Sequence, residues 1–189
     1  MIKKVIFPAI LAVVTLSVLT DKLQAGRFNF TMENGPAAVS YKGKRVVDYE
    51  TTHAKGTIVI NTKERMLYFV MGDGKAIRYG VGVGRQGFSW NGSAKIARKA
   101  KWPAWRPPAE MRKREPHLPV FMEGGPNNPL GARALYLYQG GRDTLYRIHG
   151  TSQPHTIGLA VSSGCIRMLN EEVTDLYQRV RIGARVVVL

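Results

Sequence analysis

One cysteine, Cys165, stands in 189 residues, inside the run "SSGCIRMLN" from Ser162 to Asn170. By default a lone thiol is a small buried hydrophobe. In an exported chain it can also pair with another chain or react. Gly164 precedes it in a Ser-Ser-Gly turn between a strand-like and a helix-like segment, where a residue without a Cβ lets the next side chain and its N–H face a ligand. A nucleophile would then coincide with oxyanion donors at Gly164 and Cys165. A free thiol with a pKa of about 8.5 is mostly protonated at neutral pH, so it needs a base. His149 ends the strand-like "TLYRIH" and runs into Gly150 and Thr151, sixteen positions before Cys165. A loop of that length can return the chain so that both residues meet at one end of a sheet. A strand-end histidine can equally be a hydrogen-bonded structural residue. His155, after Pro154 in the middle of the loop, is the rival base, whereas His53 and His117 fall in an N-terminal arm and a Pro-rich loop. None of the four pairs with Cys165 at metal-ligand spacing, so no metal and no cofactor is expected.

The elements that must position these residues are mostly strands. "GTIVIN" and "RMLYFVM" are β-branched and aromatic runs, and "GDGK" reads as a turn before "AIRYGVG". Further strand-like runs are "AKIARK", "RALYLY", "DTLYRIHG" and the closing "ARVVVL". One helix is expected near the end, capped by Asn170, with Val173, Leu176, Tyr177 and Val180 at helical spacing and Glu171 and Glu172 at its positive end. Gly183 then frees the chain to enter the last strand. The glycine-rich "YGVGVGRQGFSWNG" lacks the helix and the Lys-Ser/Thr of a nucleotide loop and reads as a β-hairpin with tight turns. A Pro-rich stretch with Trp102 and Trp105, from Lys101 to Pro129, has the length of a lid or binding loop.

Residues 1–25 follow the plan of a signal peptide: Lys3 and Lys4, an apolar run from Val5 to Leu19, and a small residue at Ala25. The apolar run is shorter than the roughly 20 residues that span a bilayer, so membrane attachment is expected only if this segment is retained. Residues 26–55 read as an N-terminal arm and 56–189 as one catalytic domain. A net charge of +15 would suggest nucleic acid in the cytosol. Outside it, the available polyanions are envelope polymers and carboxylate-rich wall peptides, and no nucleic-acid partner is expected. The clusters at Lys95 to Lys101 and Arg112 to Arg114 serve either such binding or solubility alone.

"RIHGTSQPHTIGLAVSSGCIRMLNEEVTDLY" resembles the signature of the L,D-transpeptidases of the YkuD type (ErfK/YbiS/YcfS/YnhG-like), a His-Gly-Thr segment followed by Ser-x-Gly-Cys-Ile/Val-Arg. "GTIVINTKERMLYFV", "YGVGVGRQGFSWNGSAKI", "WPAWRPPAEM" and "NPLGARALYL" extend the likeness over residues 56 to 189. The resemblance implies a mainly β fold: a β-sandwich catalytic domain with one short C-terminal helix before the last strand. It implies a periplasmic enzyme of the cell envelope that acts on peptidoglycan tetrapeptide stems, with Cys165 acylated, His149 as base and the Gly150 carbonyl orienting the imidazole. The acceptor would be an amine of another stem or of an envelope protein, and a carbapenem would acylate the same sulfur. Arg167 would hold a substrate carboxylate or brace the catalytic turn. Ser162, Ser163 and Thr151 are further candidates for substrate contact. Many members have His where this chain has Ser163, which removes any accessory imidazole there. Water in place of the amine would make an L,D-carboxypeptidase, and a buried, inert Cys165 would make a wall-binding domain. Papain-like hydrolases usually carry Cys before His, the reverse of the order here.

Overall fold

The computed structural model describes residues 41–86, 88 and 90–189. The expected signal segment and residues 26–40 of the expected arm lie outside them. The strands are β1 (Arg45–Asp48), β2 (Ile58–Asn61), β3 (Met66–Gly72), β4 (Lys75–Gly80), β5 (Val83–Gly84), β6 (Gly92–Lys101), β7 (Arg133–Gln139), β8 (Arg142–His149), β9 (Ala160–Ser162), β10 (Ile166–Arg167) and β11 (Arg185–Val188). Two helices, α1 (Ala109–Arg114) and α2 (Asn170–Arg179), fall before β7 and after β10. β2, β3 and β4 form one antiparallel meander, and β6, β7 and β8 form another. The β3–β4 turn has Asp73 and Gly74 at φ of 54° and 64°, the twisted geometry that suits a two-residue hairpin.

β11 joins the meanders, parallel to β2 and antiparallel to β6, so the nine strands run β1-β4-β3-β2-β11-β6-β7-β8-β10. The chain running on from β4 then meets β10 at the far side: Gly82 and Arg167 exchange backbone hydrogen bonds of 2.9 and 2.8 Å. This contact closes a β-sandwich around one core. Ile58, Leu67, Tyr79, Ile96, Leu135 and Ile148 from both meanders share that core with Val173 and Leu176 of α2. Each such fully buried aliphatic side chain contributes about 1.5–3 kcal/mol. α2 therefore sits over the sheet as its hydrophobic spacing predicts.

Four sequence expectations need correction. Asn170 does not cap α2: the N-cap is Leu169, with no side-chain cap bond, and Asn170 is the first helical residue. The glycine-rich segment does not fold on itself, because β5 pairs in parallel with β9, more than seventy residues along the chain. The Pro-rich stretch holds a second helix, α1, whose Arg114 guanidinium lies 5.2 Å from the centre of the Phe88 ring. Finally, residues 41–48 are not a free spacer. β1 pairs with β4, and Tyr41 is fully buried with its hydroxyl donating to Glu172 Oε1. Lys44 N also donates to Glu172, at 2.9 Å, and Lys44 Nζ pairs with Asp175 at 2.6 Å.

Candidate active site

β10 lies beside β8 in parallel, with Ile166 opposite Ile148 and Arg167 opposite His149. Side chains alternate faces along a strand. Ile148 and Ile166 both point into the core, so His149 and Arg167 share the other face. The same alternation brings in Arg147 and Cys165, each two residues earlier. Cys165 is thus diagonal to His149. Diagonal neighbours in a sheet are roughly 7–8 Å apart, within reach of side chains turned toward each other.

His149 is buried and ends its strand with its own carbonyl held by Met168 N at 2.8 Å. Its Nδ1 is 2.6 Å from Gly150 O. A carbonyl only accepts, so Nδ1 carries the proton and Nε2 is left as an acceptor. Burial pulls the His149 pKa down to about 4; the Gly150 carbonyl opposes this, and the charges of Arg167 and Arg147 add to it. Burial pushes the Cys165 thiol up, against a backbone hydrogen bond from Arg147 and the charges of Arg147 and Arg167. At neutral pH the resting pair is therefore a neutral imidazole and a neutral thiol, not an ion pair. Among the described residues no hydrogen bond joins them, and besides the Arg147 backbone Sγ has Leu145 O as a polar neighbour at 3.9 Å.

The turn that presents Cys165 depends on Gly164, which adopts φ +109°. A Cβ there would lie 2.3 Å from the Tyr146 ring and 2.9 Å from Phe88 O. Tyr146 in turn stacks on Trp90, with centroids 5.2 Å apart. Ser162 staples the turn from inside: its buried Oγ donates to Cys165 O at 2.6 Å and accepts Gly164 N–H at 3.1 Å. Two expectations change as a result. Ser162 has its hydrogen-bonding capacity turned inward rather than toward a substrate, and the Gly164 N–H is already engaged. Cys165 N–H is the donor left at this turn for an oxyanion, having no acceptor among the described residues.

Thr151 is also buried, its Oγ1 accepting Gln153 N–H at 2.9 Å, so it too faces its own loop. Ser163 is half-buried and makes no side-chain hydrogen bond among the described residues. Arg167 is half-buried; its Nη1 reaches Gln153 Oε1 and Thr156 Oγ1 only at 3.4 Å each. His155 is exposed in a 3-10 turn at Pro154–Thr156, and His117 is exposed in the Pro-rich segment. Sequence reasoning did not single out Tyr146 or Arg147, and it read Asn170 only as a helix cap. Arg147 is paired with Asp143 through two bonds of 2.7 and 2.8 Å, a pairing allowed because Leu145 between them takes φ +63°. No local sequence pattern signals that bend.

Residues 55–188 match the YkuD family, the L,D-transpeptidase catalytic domain, and the chain belongs to this family. The probable L,D-transpeptidase YbiS of Escherichia coli K12 is 38% identical over 144 residues, covering 72% of this chain and 45% of that protein. The chain thus spans less than half the length of this relative. A crystal structure from Brucella melitensis, named a probable carnitine operon oxidoreductase, is 51% identical with a TM-score of 0.53, covering 77% of this chain and 92% of the other. An L,D-transpeptidase from Mycobacterium smegmatis has a TM-score of 0.54 at 14% identity over 71% of this chain and 58% of its own, a likeness of fold alone.

Proposed function

We propose that this protein is a cysteine-dependent L,D-transpeptidase acting on peptidoglycan stem peptides in the periplasm. The observation that carries the reading is the β8–β10 register, which sets a lone thiol and a buried, neutral imidazole on one face of adjacent strands. Cys165 Sγ attacks the peptide carbonyl that precedes D-Ala while His149 Nε2 takes the thiol proton. The tetrahedral oxyanion is met by Cys165 N–H. Collapse breaks the peptide bond, D-Ala leaves as an amine carrying the proton from His149, and the donor remains as a thioester. An acceptor amine then attacks the thioester, gives its proton to His149 and regenerates the thiol. Because the resting thiol is held neutral, proton transfer accompanies attack instead of preceding it. The same pair supports acyl transfer here in preference to the redox activity in the name of the Brucella melitensis protein.

Arg167 has the substrate-facing role of the two expected of it. Its backbone, through the Gly82 exchange, already braces the turn. Its guanidinium has no carboxylate partner among the described residues, so a carboxylate of the donor stem would supply one. A charge-assisted pair of this kind contributes about 1.5–3 kcal/mol.

Defined tetrapeptide muropeptides incubated with the protein, with products read by mass spectrometry, test both statements. Crosslinked stems and free D-Ala are expected, and amidating the stem carboxylates should raise KM by on the order of tenfold or more in wild type but little in Arg167→Ala. Hydrolysed stems without crosslinks would mark a carboxypeptidase, and no D-Ala release would favour a wall-binding domain. Export is supported by the charge and apolar plan of residues 1–25. Among the described residues no helix is long and apolar enough to cross a membrane. N-terminal sequencing of envelope material is expected to begin near Gly26; an intact Met1 in the membrane fraction would show a retained anchor.

A further inference from the structure

The peptide unit between Gly150 and Thr151 is gripped at both of its polar atoms. Its carbonyl, Gly150 O, accepts from His149 Nδ1, and its N–H, on Thr151, donates to Asn170 Oδ1 at 3.2 Å. In a trans peptide the C=O and N–H point to opposite sides of one rigid plane. Whatever holds the N–H therefore sets the direction of the carbonyl. Asn170 does more than touch it: Oδ1 also accepts Ala132 N–H at 2.9 Å, and Nδ2 donates to Thr151 O at 2.9 Å. Both lone pairs of Oδ1 and one of the two amide protons are thus spent on backbone.

The surroundings are cut to fit this amide. A Cβ at Gly150 would lie 2.2 Å from Oδ1, and one at Gly131 would lie 2.3 Å from it. Helix formation does not explain Asn170, since α2 begins without a side-chain cap and asparagine is a poor helix former. We infer that Asn170 is a positioning residue for His149: by clamping the Gly150–Thr151 peptide from behind, it locks the imidazole in the Nδ1–H tautomer and leaves Nε2 free for the thiol proton. The inference rests on the reading of His149 as base, but the clamp has a signature independent of activity.

That signature is the 15N spectrum of the imidazole in the full chain at neutral pH, with His149 assigned by the loss of its signals in His149→Gln. Wild type is expected to show a protonated Nδ1 and an unprotonated Nε2. In Asn170→Ala the two signals average, and kcat for D-Ala release falls on the order of 10²-fold with KM little changed, the cost of a small misplacement of a reacting group. Asn170→Asp keeps the acceptor for Thr151 and Ala132, so it retains the single tautomer and more of the activity than Asn170→Ala. Unchanged signals in Asn170→Ala overturn the inference, even if activity drops. Should that variant fail to fold by circular dichroism, averaged signals in Asn170→Asp overturn it and a retained single tautomer supports it. If wild type releases no D-Ala yet Asn170→Ala still mixes the tautomers, the functional reading falls and the clamp stands.

Discussion

Incubated with a tetrapeptide donor, the wild-type protein is expected to gain on Cys165 the mass of the donor less D-Ala, and Cys165→Ser is expected to gain none. Cys165 is the single cysteine of the chain, so no second one can form an intrachain disulfide with it or take over its role. A serine hydroxyl has a far higher pKa than a thiol, and this site offers little to compensate: its imidazole is held neutral by burial and its turn already spends the Gly164 N–H on Ser162. The loss in turnover should be on the order of 10⁴-fold or more, as for other removed nucleophiles. A carbapenem should label the wild-type sulfur and leave the variant unlabelled. Crosslinking that survives the substitution would sink the mechanism, while a thiol that alkylates normally without releasing D-Ala would favour the binding-domain reading.

His149→Ala should cost on the order of 10²–10⁴-fold at neutral pH, and His155→Ala little, because His155 is exposed in its loop. The pH profile separates the base from a structural histidine. With its pKa pulled to about 4, His149 stays unprotonated well below the ordinary imidazole range, so the acid limb of kcat/KM should fall near pH 4 and disappear in His149→Ala. Stability follows the same linkage. Between roughly 6.5 and 4 the unfolded chain binds a proton that the native chain does not, so stability is full above this window and declines as pH falls through it. The decline should be about 3 kcal/mol and absent in His149→Ala. Reversed losses in the two histidine variants would assign the base to His155.

The strand positions were legible because the domain is built from alternating runs bounded by Gly and Pro, and the candidate nucleophile and base could be proposed because a strand-end histidine and a Gly-Cys turn are local patterns. What escaped is what depends on the closure of the sandwich. Ser162 looked like a hydroxyl available to substrate, and only the folded turn shows that it bonds Cys165 O and Gly164 N–H. Asn170 fitted a capping pattern, but its side chain meets Gly131, Ala132 and Thr151, neighbours that no spacing within the helix reveals. β5 was read as half of a hairpin because tight glycine turns favour one. Its partner β9 is remote, and parallel pairing leaves no local signature.

The family match begins at residue 55, yet the chain upstream is bound into the sandwich by β1, Tyr41 and Lys44. The homologous segment is therefore shorter than the packed unit that the described residues form. A polypeptide started at residue 55 would strip β4 of its neighbour and leave a sheet edge open to intermolecular pairing, which the short, charged β1 now shields. It would also leave Glu172, whose pKa burial raises to about 7, without the phenol and backbone N–H that now solvate its carboxylate. An uncompensated buried carboxyl costs least when protonated. Such a fragment would lose stability as pH rises from the ordinary carboxylate range through 7 and would expose its aggregation-prone edge over the same range, so its solubility would record the missing upstream residues before its chemistry did.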